Sequence, residues 1–447
     1  MNNLIYGIKD KPKFPQLIVF ALQQMLAIMA ATLVVPILVN SYGAVNLEMD
    51  IAAALLGAGA GTAVYIAFTK ANSPVFLGSS FTFLGAMYSA TVFGYFGIIV
   101  GAVLAGLVYV IIAIAIKFFG TKWVDKLMPP IIIGPTVAII GLCLAGNAIS
   151  DLTNVTGGTY SLIHILCGLV ALFTVILCST FGKKMARLIP FIIGILAGYV
   201  LAAVFTLIGS ATGNDALMVL NMSPLTSLDF TTLEGWIHVP KFAFVQAAKE
   251  TFDWSALGNI AVLYVPVAFV VFAEHIADHK NISSIIGKDL INEEPGLART
   301  LLGDGIGSMV GAFFGCCPNT TYGESVGCVA ITRNASVITI AAAAVGCIVL
   351  SFFAPFVAFV NTIPSCVMGG VCVTLYGFIA VSGLRMFKHI DLDTNRNLFV
   401  VATILITGIG GMTLQFGQIT ITNIATALIL GILVNTVLTV GEKRIKK

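Results

Sequence analysis

Gly315-Cys316-Cys317-Pro318-Asn319-Thr320-Thr321-Tyr322-Gly323-Glu324-Ser325-Val326-Gly327 is the stretch on which the rest of the chain turns. It lies inside a long series of apolar segments, yet it holds a proline, amide and hydroxyl side chains, and a carboxylate. Pro318 donates no N–H and disfavours helix at the residue before it. Gly315 and Gly323 are poor helix-interior residues. The pattern predicts extended chain through about Tyr322, then a half-helix beginning near Glu324. Irregular backbone persists at bilayer depth only where protein buries it or where it lines a cavity.

The surroundings establish that a bilayer is the solvent. The 447 residues are 58% hydrophobic and 10% charged, against roughly 25% charged in a soluble domain. Mean hydropathy is +1.02. Repeated apolar runs of about 20 residues mean an all-α polytopic membrane protein. The net charge of +3 says little about partners, and the sequence shows no basic–aromatic patch for nucleic acid. All nine cysteines fall in apolar segments without metal-ligand spacing. They read as small hydrophobes, with no metal site and no disulfide framework. The first apolar run is too long for a signal-peptide core and is expected to remain as a span.

Fourteen spans are expected, at 16–40, 49–70, 74–92, 95–117, 129–148, 160–182, 187–209, 255–279, 297–315, 318–333, 335–358, 364–383, 397–414 and 419–440. Charge bias selects this number over twelve. With the N-terminus in the cytoplasm, basic loop residues from Lys70 to Arg396 fall inside, as does the tail Lys443, Arg444, Lys446 and Lys447. Only Lys241 and Lys249 fall outside, in the one long hydrophilic loop, 210–254. That is the positive-inside pattern, with both termini cytoplasmic. Short amphipathic helices are expected in that loop, covering the bundle. The loop divides the chain into two sets of seven spans. An odd number per set inverts one relative to the other, giving an inverted repeat.

The repeat demands a second interrupted span at the matching place. Asn72-Ser73-Pro74-Val75-Phe76-Leu77-Gly78-Ser79-Ser80-Phe81 supplies it in the third span, as the quoted stretch does in the tenth. Two Pro/Gly-interrupted segments at corresponding positions mark a midplane site in secondary transporters.

Carboxylates inside spans cost about 2.5–3.5 kcal/mol at a helix centre and default to functional. Glu274 and Asp278 are four residues apart, so they share one helical face. Glu324 opens the half-helix, where the dipole favours its charge by roughly 0.3–1 kcal/mol. Carboxylates facing one cavity do not all ionise easily, which makes one a proton carrier. The assignment is Glu274 as the group that exchanges the proton and Glu324 as the group that holds substrate. Asp304 reads as a structural hydrogen-bonding residue and His164 as a satisfied buried polar group. His275 and His279 are expected to border the cytoplasm. No nucleophile–base pair points to an enzyme.

Two half-helices starting near each other present free N–H groups, which favour acceptor oxygens. A carboxylate beside them accepts N–H donors. Phe81, Tyr322 and Tyr376 can flank a flat ring. An uncharged ring with carbonyls and N–H groups, a pyrimidine or an oxopurine, suits such a site. An inorganic anion or amino acid would want a cation near the breaks.

Glu324-Ser325-Val326-Gly327, four residues, then Thr332-Arg333 resembles the signature of the nucleobase–ascorbate transporter family. That signature runs acidic, amide or Pro residue, Asn, any, Gly, four of any, Thr, then Arg, Lys or Gly. Ser325 departs from its Asn. Pro318 to Glu324, Ala273-Glu274-His275 and Leu77 to Phe81 resemble the bacterial uracil branch of the family. The resemblance implies antiparallel strands where spans 3 and 10 meet. It implies a core domain from residues 1–126 and 255–358, and a gate domain from 127–209 and 359–447. It further implies uracil as substrate and a proton as coupling ion, with no other cofactor. The setting would be a bacterial plasma membrane, and the assembly a homodimer through the gate domains. Glu274 and Glu324 would bond the ring N–H groups, and the backbone N–H groups of Phe81 and Gly323 its carbonyls. Tyr322, Ala31 and Tyr376 would line the site. Asp278 stands where the family often has His, and Gln23-Gln24 where it often has Gln-His, which leaves the proton relay open. A xanthine or urate permease and an anion transporter or channel of the same fold are the alternatives.

Overall fold

The structure, a computed structural model, describes residues 4–42, 47–154, 160–183, 185–416 and 419–445. Lys446 and Lys447 of the basic tail lie outside these residues. Helices before the long loop include α1 (Phe14–Tyr42), α2 (Ile51–Phe68), α3 (Leu84–Ala90), α4 (Gly94–Phe119), α5 (Pro130–Cys143), α6 (Leu162–Phe181) and α7 (Pro190–Thr212). After the long loop come α8 (Leu257–Ile286), α9 (Leu297–Phe314), α10 (Gly323–Thr332), α11 (Val337–Ser351), α12 (Ser365–Arg385), α13 (Asn395–Ile409) and α14 (Asn423–Ile445). Among the described residues, nine helical segments are long and apolar enough to cross a membrane, and the helices Val337–Ser351 and Asn395–Ile409 are apolar but shorter. Large apolar side chains such as Ile111, Phe118, Leu207, Val349 and Val437 are mostly exposed. Such an outer surface suits contact with lipid rather than water.

The helices pack as two sets. One groups α1, α2, α4, α8, α9 and α11, and the other groups α5, α6, α7, α12, α13 and α14. In the first set α2 and α9 approach backbone to backbone. A Cβ on Gly57 would lie 2.4 Å from the Gly311 carbonyl, and one on Gly61 2.6 Å from that of Gly307. Small residues permit this contact between spans.

That closeness seats the two interrupted stretches. Strand β1 (Leu77–Ser79) pairs antiparallel with β2 (Asn319–Thr321), joining Leu77 to Thr321, Gly78 to Thr320 and Ser79 to Asn319. Each three-residue strand leaves backbone groups needing partners at membrane depth. Ser80 N donates to Pro318 O at 2.9 Å and Tyr322 N to Phe76 O at 3.2 Å. Side chains supply two more. Leu77 N donates to Thr62 Oγ1 and Phe76 N to Ser325 Oγ, both at 3.0 Å. Helical structure resumes at Phe81 on one side and Gly323 on the other, which matches the breaks expected from Pro74 and Pro318.

The loop between α7 and α8 carries short helical turns, including Ser223–Thr226 and Ala243–Ala247. Both ends of it are fastened. Val219 N and Leu220 N donate to Thr206 Oγ1 of α7. Glu250 accepts from Tyr95 N and Phe96 N at the start of α4. Asp50 caps α2 through Ala52 N and also accepts Lys241 N at 2.6 Å, with His238 3.3 Å away.

Candidate functional site

A cavity of about 1050 Å³ lies against the β1–β2 ladder. Glu274, Asp278, Phe81, Tyr322, Gly323 and Glu324 all line it, as do Ser80 and Thr320. Arg187 and Arg385, both exposed, lie at its mouth. The charge reading of the breaks did not place these two arginines on the same cavity.

Each carboxylate is held differently. Glu274 accepts from Thr82 Oγ1 at 3.2 Å, which ties α8 to the turn after β1. Asp278 accepts from Thr321 Oγ1 at 2.8 Å, which ties the same helix to β2. The four-residue spacing does put both acids on the cavity side of α8. Glu324 sits in the first turn of α10, where free backbone N–H groups favour an anion. Tyr322 donates from its hydroxyl to Ser79 O at 2.7 Å, which lays its ring along the ladder.

Two expected lining residues are set back. Ala31 is fully buried in α1 and does not line the cavity. Tyr376 stands behind Phe81, edge-on, with ring centroids 5.6 Å apart. It shapes the wall through Phe81 rather than facing the cavity.

The histidine expectation requires correction. His275 and His279 do not border the cytoplasm but are wholly buried. His275 bonds Asp304 Oδ2 through Nδ1 at 2.7 Å and Thr300 Oγ1 through Nε2 at 3.0 Å. His279 bonds His275 O at 2.8 Å and the Tyr65 hydroxyl at 2.8 Å. Partners contributed by α2 and α9 make burial tolerable. Asp304 is thus a bonding partner inside the bundle. His164 is buried, with Nδ1 3.0 Å from Ser161 Oγ.

Sequence reasoning missed Thr82 and Thr321 as partners of the acids. It noted Gln24 and Ser325 separately, each as a departure from a pattern. In the structure they meet: Gln24 Nε2 donates to Ser325 Oγ, which also accepts Phe76 N. One hydroxyl therefore joins α1, the entry to β1 and the half-helix of Glu324.

Helices traversing an apolar medium, interrupted around a polar cavity, define a multi-span membrane transporter and not an enzyme. The chain belongs to a permease family, whose profile matches residues 15–417. It is 38% identical over 442 residues to the uracil permease of Bacillus caldolyticus, covering 98% of this chain and 95% of that one. It is 36% identical to the uracil permease of Bacillus subtilis (strain 168), covering 97% and 94%, and 33% identical to that of Escherichia coli (strain K12), covering 97% and 93%. Among solved structures, the transmembrane domain of the cyanobacterial bicarbonate transporter BicA superposes with a TM-score of 0.58 at 14% identity, over 96% of this chain and all of that one. The murine anion transporter Slc26a9, in its inward-facing state, gives 0.65 at 9% identity, over 97% and 69%. At these identities the likeness speaks for the fold alone.

Proposed function

We propose that this protein carries uracil across the bacterial plasma membrane by alternating access, coupled to protons. The observation that carries the reading is one wall in which Glu274, Glu324, Phe81, Tyr322 and Gly323 meet at the β1–β2 ladder. Whole-length similarity to uracil permeases supports the substrate. In this reading Glu274 and Glu324 accept the ring N–H groups, and the backbone N–H groups of Phe81 and Gly323 bond the carbonyls. Phe81 and Tyr322 flank the ring, with Tyr376 and Ala31 in support behind them. Glu274 and Asp278, on one face of α8, pass the proton. Three carboxylates on one cavity (Glu274, Asp278 and Glu324) disfavour an anion as cargo.

The architecture proposed is fourteen spans in two inverted sets of seven. Residues 1–126 and 255–358 form the core domain, and 127–209 and 359–447 the gate domain, with 210–254 as an outer loop. The packing of the helices in two sets supports this division. With both termini in the cytoplasm, the mouth marked by Arg187 and Arg385 opens inward. The functional unit is a homodimer through the gate domains.

The test is radiolabelled uracil uptake into proteoliposomes, with and without an inward proton gradient. The gradient accelerates uptake, unlabelled uracil competes, and xanthine does not. Glu324→Ala abolishes uracil binding. Glu274→Gln removes the response to pH. Competition by xanthine in place of uracil would transfer the reading to a purine permease.

A further inference from the structure

The β1–β2 ladder has two faces, and they are used differently. Side chains directly opposite in an antiparallel pair share a face and alternate along each strand. Since Gly78 pairs with Thr320, positions 78, 80, 320 and 322 lie on one face, and positions 77, 79, 319 and 321 on the other. The second face belongs to the scaffold. Ser79 Oγ lies 3.1 Å from Cys316 Sγ, Asn319 Nδ2 donates to Gly57 O at 3.4 Å, and Thr321 donates to Asp278.

The first face belongs to the cavity. Gly78 is bare, and a Cβ there would stand 2.4 Å from the Tyr322 ring, so the ring lies across it. The two remaining residues, Ser80 and Thr320, both line the cavity. Each is 1% exposed, and among the described residues neither hydroxyl has a hydrogen-bond partner. Buried polar groups are seldom left so, because desolvation without a partner is unfavourable. Two such hydroxyls on one face, beside two carboxylates that accept N–H groups, complement a ligand that brings its own acceptors.

We infer that the Ser80 and Thr320 hydroxyls are specificity-determining contacts that donate to the ring carbonyl oxygens of the substrate. This rests on the uracil reading above. A carbonyl oxygen accepts two hydrogen bonds, so the hydroxyls act together with the backbone N–H groups of Phe81 and Gly323. The carboxylates then read the N–H edge and the ladder reads the carbonyl edge. A ring bearing a weaker acceptor such as sulfur in place of a carbonyl oxygen satisfies these donors less well.

The experiment compares inhibition of uracil uptake by uracil, 2-thiouracil and 4-thiouracil, in proteoliposomes of the full chain. Wild type, Thr320→Val, Thr320→Ser and Ser80→Ala are measured side by side. Thr320→Val and Ser80→Ala weaken uracil by about fivefold each, the worth of one neutral hydrogen bond. In each, the wild-type preference for uracil over a thio analogue collapses toward one at a ring position. Thr320→Ser, which keeps the hydroxyl, retains the wild-type ratio. A residue with only a structural role would weaken uracil and both analogues equally, so unchanged ratios overturn the assignment of that residue. A wild type that accepts thio analogues as readily as uracil overturns both assignments. A wild type that takes up no uracil overturns the substrate reading itself, which separates the two failures.

Discussion

At position 78 a single methyl group would be enough to disturb the site. Its Cβ would fall 2.4 Å from one ring carbon of Tyr322 and 2.5 Å from the next. Gly78→Ala therefore turns Tyr322 off the ladder and breaks its 2.7 Å bond to Ser79 O. Uracil binding falls by at least tenfold while the helical content stays unchanged, as equilibrium binding and circular dichroism on the purified variant will show. A variant that binds normally would mean that the ring has room to move. The acids at this scale were legible in advance: Glu274 and Asp278 by their spacing, Glu324 by its place after a proline-bearing break. Their partners were not. Thr82 is 192 residues from Glu274, and Gln24 is 301 from Ser325. No local pattern links such pairs, because only the packing of α8 on the turn after β1, and of α1 on α10, brings them together.

Among the elements, the outer loop shows how a polar insertion is fastened to an apolar bundle. It supplies Glu250 to the start of α4 and takes the carboxylate of Asp50 at the start of α2. Acidic groups at helix N-termini satisfy free N–H groups and complement the dipole. Burial alone would push the Asp50 carboxyl up, but bonds from His238, Lys241 N and Ala52 N outweigh it and hold it below the ordinary 3.8. A lowered carboxylate contributes stability above its unfolded value and loses it as pH falls through the folded one. Asp50→Ala should therefore cost about 0.5–2 kcal/mol at neutral pH. The gap from wild type should narrow below the ordinary carboxylate range. Thermal unfolding in detergent at pH 7 and at acid pH measures both. A gap that widens in acid would contradict the assignment. The hydrophilic character of this loop was readable from its composition. Its anchoring points were not, since Asp50 and Lys241 are 191 residues apart.

For the whole molecule, the two packed sets of helices meet around the cavity, and orientation in the membrane decides which compartment it opens to. Single cysteines at Lys249 and Lys388, both exposed, test this with an impermeant thiol reagent on intact cells. Native cysteines are buried or half-buried among the described residues, so background is low. Lys249→Cys labels from outside and Lys388→Cys only after the cells are opened. The reverse pattern would invert the topology and turn the mouth at Arg187 outward.

By itself the sequence determined that the chain lives in a bilayer and that two of its apolar segments are broken. Those properties are local: transfer energy sums over about 20 residues, and proline acts on its own turn and the residue before it. It also marked the acids, because a carboxylate in an apolar run is conspicuous wherever it stands. Tertiary structure alone decided what those features touch. His275 and His279 were placed at a water boundary from their neighbours in the chain, whereas Asp304, Thr300 and Tyr65 bury them. Ala31 and Tyr376 were expected in the lining, but Ala31 is buried within α1 and Tyr376 packs edge-on against Phe81. Which hydroxyl finds a partner and which is left facing a cavity is a matter of packing between distant helices, and no stretch of sequence contains it.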